Sequence, residues 1–151
     1  MATISLSTID AAISTRIEAQ LSGFKESNTV SALLRTPSSI VDKGFVLLID
    51  SGTSLDGTTR GLRQKAESRI EAGLRVEFAR KLNKNQPTTR RSAQVNIEAI
   101  IKALVDVSWT STIGSGGARF VFKSYSIAYS GEGQAIIGSV NFNVSYEIDL
   151  T

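Results

Sequence analysis

From residue 136 to residue 150 nearly every even position is apolar: Ile136, Val140, Phe142, Val144, Tyr146, Ile148 and Leu150, with Gly138 the gap. Every odd position from Ser139 to Asp149 is polar. Successive side chains of a strand point to opposite faces, so a period of two demands one buried face and one wet face. Antiparallel sheets are built this way. A slip of one residue would turn the whole apolar set outward, which pins the register.

Three further segments read as strands. Residues 69–82 turn Ile70, Ala72, Leu74, Val76 and Phe78 inward, while Arg69, Glu71, Arg75 and Glu77 alternate in sign outside, a pattern that suits cross-strand ion pairs. Phe45-Val-Leu-Leu-Ile49 is apolar on both faces, so cover is expected on each side. Residues 119–129 carry Phe120, Phe122, Tyr125 and Tyr129, and Gly131-Glu-Gly133 reads as the hairpin turn into the last strand.

Two helices accompany them. Ile9, Ile13, Ile17 and Leu21 recur every four residues and predict a helix over 7–21, with Ser7 to Asp10 as a capping box and Gly23 as the stop. After Pro87, the residues Ile97, Ile100, Ile101, Leu104 and Val105 follow helical spacing over 90–107. Trp109 is expected to close the core edge, and 110–117, with three glycines, to be a turn. Gly114-Ser-Gly-Gly117 precedes a strand, not a helix, so it is not a phosphate loop. Residues 25–42 read as a connector that Val30, Leu33 and Leu34 pin to the core.

The chain has 151 residues, no Cys and no His. Without them there is no disulfide, thiolate nucleophile, zinc site of the usual ligands or Ser-His-Asp triad. Carboxylate pairs could still act as acid and base, but the acids here are scattered on the outer faces of strands and helices. We therefore expect no enzyme, no cofactor and no metal. No apolar run reaches the length of a membrane span, and the first ten residues lack the pattern of a secretion signal, so cytoplasmic synthesis is expected.

Residues 51–68 form a polar stretch with three glycines, five Ser or Thr before Arg60, and only Leu55, Leu62 and Ala66 as apolar residues. Structureless connections beyond about 12–15 residues are uncommon in compact domains. This one has too little apolar surface to offset the entropy of its own ordering, so a partner chain is expected to order it. The net charge of +3 is uneven: residues 51–91 hold ten Lys or Arg against four acids. No aromatics interleave with them as on a base-stacking platform, so a solvated face or ion pairs between subunits is the plainer reading.

Together the elements predict an α+β fold and a single domain over 1–151. The expected architecture is one mainly antiparallel sheet with two helices packed on one side, in the order α-β-β-α-β-β, with a long loop between the first two strands. Protruding strands and a partner-seeking loop suit a protein completed by identical copies in a ring.

This order resembles the tail terminator proteins of long-tailed bacteriophages and, more loosely, other small head–tail joining proteins. The likeness runs over essentially the whole chain: helix 7–21, strand 45–50, loop 51–68, strand 69–82, helix 90–107 and hairpin 119–150. It implies a hexameric ring that caps the tail tube, ends its polymerisation and meets a head-closure or neck protein. The implied location is the tail–neck junction of the virion, after assembly in the host cytoplasm, with no membrane partner. In such a ring Asp56, Arg60, Arg63 and Lys65, together with Arg90 and Arg91, are the candidates for contacting a neighbouring subunit or lining a channel for DNA. A neck adaptor or tail-completion protein is the nearest alternative. A basic nucleic-acid-binding module and a carboxylate-only enzyme stay open from other classes.

Overall fold

The computed structural model describes residues 3–27, 41–49, 51–54, 67–82, 86–115, 117–129 and 135–149. They form a mixed α and β structure with one open six-stranded sheet and three helices. In chain order these are α1 (Leu6–Gln20), β1 (Lys25–Glu26), β2 (Gly44–Leu48), β3 (Gly52–Ser54), β4 (Glu67–Lys81), α2 (Gln86–Val105), α3 (Val107–Thr110), a 3-10 turn (Ile113–Ser115), β5 (Ala118–Tyr129) and β6 (Ala135–Asp149). The expected order lacked β1, β3 and α3, which are too short to show a period.

The sheet runs β1-β2-β4-β6-β5, with β3 also paired to β4. β1 and β2 are parallel and the other strand pairs antiparallel. β4 and β6 pair over their whole length, from Glu67 opposite Asp149 to Lys81 opposite Ala135. β2 and β3 lie in succession along one side of β4, facing residues 75–78 and 70–72. The stretch 51–68 is therefore not one loop, because Gly52–Ser54 and Glu67 onward are paired strand. Past the start of β5, Thr3 bridges to Glu147 and the Ile4 amide donates to the Glu147 carbonyl at 2.8 Å.

The period of two holds in both long strands. Ala72, Leu74, Val76 and Phe78 of β4 and Ile136, Val140, Phe142, Val144 and Tyr146 of β6 are buried in one cluster. Ile9, Ile13, Ile17 and Leu21 from the α1 segment join it, as do Ala93, Ile97, Ile100 and Leu104 from α2. Each such large side chain stabilises the fold by about 1.5–3 kcal/mol through burial. A smaller cluster of Val46, Ala79, Ala135 and Ile137, with Leu48 against it, occupies the opposite face. Phe45 and Val46 thus enter different clusters, as the two apolar faces of that strand required.

The Gly138 gap in β6 has a partner. Gly138 lies directly opposite Phe78. A Cβ built on it would meet Phe78 Cζ and Cε1 at 2.4 and 2.5 Å. The ring fills the space that an alternating apolar residue would have taken, and Phe24 packs on its other side with centroids 5.6 Å apart.

Several boundaries differ from expectation. The cap of α1 is Ser5, not Ser7 with Asp10: its extended backbone lets its Oγ accept the Thr8 amide at 3.2 Å. Gly23, at φ +81°, adopts the left-handed conformation expected just past a helix end. α2 begins at Gln86 and stops at Val105, because Asp106 turns extended and caps α3 by accepting the Ser108 amide at 2.9 Å. The predicted turn at 110–117 contains the 3-10 turn, whose Ile113 is buried. Val30, Leu33, Leu34 and the Gly131–Gly133 turn lie outside the described residues.

Candidate functional site

Of the six candidate residues, Asp56, Arg60, Arg63 and Lys65 lie outside the described residues. Arg90 and Arg91 stand early in α2, the first half-buried and the second exposed.

Two other cations of the basic region are engaged within the fold. Arg80, with only 14% of its side chain exposed, bonds Asp42 at 3.1 Å, Ser92 at 2.7 Å and Asn96. It fastens the end of β4 to α2. Arg75 donates from Nε to Asn141 Oδ1 at 3.1 Å, and Asn141 in turn donates to Ser124 Oγ at 3.1 Å, so one polar row crosses β4, β6 and β5. Asn143 donates to Glu71 at 3.0 Å. At Arg75 and Glu71 the cross-strand partners are asparagines. The Arg75–Glu77 ion pair, at 3.5 Å, runs along β4, not across it.

A second knot ties the helices. Arg16 of α1 donates from Nε to the Ala103 carbonyl at 3.1 Å and pairs with Asp106 at 3.0 Å. Its guanidinium lies 5.4 Å from the centre of the Trp109 ring, which packs on Phe120 at 5.4 Å. Trp109 therefore closes the core edge as expected. Beside it runs an open groove of about 500 Å³, floored by Ala11, Ala12, Thr15 and Ala19 of α1. Arg16, Trp109 and Ile113 also line it, and none of the described carboxylates does. Among the described residues no cluster of acids could hold a metal ion, and no helix is long and apolar enough to cross a membrane.

β5 forms where the sequence reading placed a strand. Of the four aromatic residues expected on this strand, Phe120 is core. Beyond it, both faces of the strand are open to solvent: Val121 is 43% exposed, Phe122 36%, Tyr125 59% and Tyr129 46%. Phe122 still touches Phe142 edge-on, with centroids 6.0 Å apart. The strand is bulged between Phe122 and Ser124 and, among the described residues, pairs with β6 alone. An edge strand with exposed aromatics on it is a ready surface for another chain.

α1 also carries a polar row beside its apolar stripe. Asp10, Ser14 and Glu18 recur every four residues, and Glu26 of β1 comes up beside them. Ser14 Oγ donates to Glu26 at 2.7 Å, and Glu18 accepts the Glu26 amide at 3.2 Å. Burial first, and then the charge of Glu26, push the Asp10 carboxyl above its usual range. The spacing of Asp10 and Glu18 was visible in the sequence; the approach of Glu26 depends on the parallel β1–β2 pair and was not. No protein-family model matches the chain, and no curated protein matches it.

Proposed function

We propose that this chain is a structural subunit that joins identical copies head to tail into a closed ring, as a tail terminator does at the end of a phage tail tube. In this reading α1 and α2 cover one side of a mainly antiparallel sheet. The ring caps the tube, stops its growth and offers a surface to the head. The observation that carries the reading is β5 from Val121 to Tyr129, an edge strand with apolar side chains exposed on both faces. Soluble monomers rarely leave such an edge uncovered, and assembly subunits use one to meet a neighbour. The internal engagement of Arg75 and Arg80 adds support, since it leaves less of the basic region for nucleic acid.

Light scattering across concentration, followed by negative-stain imaging with purified tail tubes, tests the proposal. The expected result is a ring, most simply a hexamer, seated at the tube end. A protein that stays monomeric at high concentration and with tubes present overturns it.

A further inference from the structure

Resting on the ring reading above, we infer that the ring interface is heterologous: the β5 edge of one copy meets the α1–β1 flank of the next, with Arg119 and Lys123 answering Asp10, Glu18 and Glu26. The surface to be covered is the exposed run of β5, where Val121, Phe122, Tyr125 and Tyr129 lie beside the exposed cations Arg119 and Lys123. β5 carries these two cations and no acid. Two β5 edges brought together by a two-fold axis would set like charges against each other, which is destabilising in paired strands. The occupant has to be acidic and have room for aromatic side chains.

The same chain supplies that surface. Asp10, Glu18 and Glu26 line one side of α1 and pair with no cation among the described residues. Next to them the exposed residues of α1 are the small Ala11, Thr15 and Ala19, which lead into the groove beside Trp109. An aromatic side chain can lie on such a flat surface while a neighbouring Lys or Arg reaches the carboxylates. The patches are different parts of one chain, so each copy offers one and accepts the other. That is the head-to-tail arrangement from which rings are made. The backbone adds a constraint: the Glu26 amide is already taken by Glu18, so the flank is met by side chains and not by adding a strand at that residue.

Paired charge reversal tests the inference. One variant carries Arg119→Glu and Lys123→Glu; the other carries Glu18→Lys and Glu26→Lys. Circular dichroism establishes that both are folded. Mass photometry is expected to show each alone dissociated by at least about tenfold relative to the natural chain, and the equimolar mixture restored to rings of alternating subunits. Either variant assembling alone like the natural chain, or a mixture that stays dissociated, overturns this interface. Neither result touches the ring reading, which fails only if the natural chain does not assemble. The chain has no cysteine, so Lys123→Cys combined with Glu26→Cys gives a second readout without charge reversal. Mild oxidation should produce a ladder of covalent oligomers up to the full ring, and exclusively monomer in the gel of an assembled sample overturns the contact.

Discussion

Replacing Gly138 with Ala adds one methyl group to the middle of β6, and β-propensity alone would favour it. The structure predicts the opposite. The new Cβ would meet two ring atoms of Phe78 at 2.4 and 2.5 Å, closer than non-bonded carbons approach. Phe78 cannot swing away freely, because it is fully buried with Phe24 packed against it. Overpacking of this kind costs about 1–3 kcal/mol. For a chain of this length that is a fall in Tm of roughly 2–4 °C for each kcal/mol.

A double-mutant cycle isolates the cause. Phe78→Leu removes the ring atoms that collide and should cost roughly 1–2 kcal/mol by itself, less than a truncation to Ala. In that background the methyl added at position 138 enters space the ring has left, so Gly138→Ala should become nearly neutral. The coupling expected for touching residues is about 0.5–3 kcal/mol. Urea unfolding followed by far-UV circular dichroism, at a concentration where all four proteins share one oligomeric state, measures it. If Gly138→Ala is harmless in the natural chain, or if the two changes simply add, the account of the Gly138 gap is wrong.

Three further outcomes are expected. Phe142→Ala should destabilise by about 3–5 kcal/mol, whereas Asn141→Ala should cost under about 1 kcal/mol by removing solvent-exposed bonds to Arg75 and Ser124; thermal melts that rank them the other way would put the β6 register out by one. Asp10 has its pKa raised above the ordinary 3.8, so its ionised form costs stability at neutral pH, and that cost fades as pH falls through the raised value and is gone below 3.8. Asp10→Asn should therefore melt higher than the natural chain at pH 7, with the gap closing toward pH 3.8, and an unchanged gap across that range would refute the assignment. The sequence reading of 51–68 as a polar, partner-seeking stretch adds the third: changing Arg60, Arg63 and Lys65 together to Ser should leave Tm nearly unchanged, since a surface ion pair contributes only about 0–1 kcal/mol, while ring formation seen by light scattering falls.

The parts of the fold legible in the sequence are those with a local period. β4 and β6 alternate over most of their length, and α1 and α2 carry stripes at helical spacing, so their buried faces could be named residue by residue. Even the break at Gly138 was visible, although its reason lies in Phe78, far away in the chain and directly opposite in the sheet. β1 and β3, at two and three residues, have no period to read. β5 was legible as a strand, but the exposure of its aromatic residues was not. Phe122, Tyr125 and Tyr129 have the composition of a core strand, but whether a face is covered depends on where the helices end, and local sequence does not carry that. Charge density in the sequence cannot distinguish a free cation from Arg80, held by Asp42, Ser92 and Asn96.

The two patches of the proposed interface also bear on why a ring would close. A head-to-tail contact closes only when the rotation between neighbours divides a full turn; otherwise it runs on as a filament. That rotation is set by the angle between β5 and α1 within one subunit, so closure requires that angle to be stiff. The Arg16 knot sits between them: the Arg16 side chain on α1 holds the Ala103 carbonyl at the end of α2, pairs with Asp106 and covers Trp109, which rests on Phe120 of β5. On its own the partly exposed Arg16–Asp106 pair contributes little stability. Its geometric effect is larger, because it links the helix that carries the acids to the strand that carries the cations through a chain of short contacts. In the proposed assembly this knot holds the two patches at a set angle, while the basic and acidic patches supply the attraction between copies.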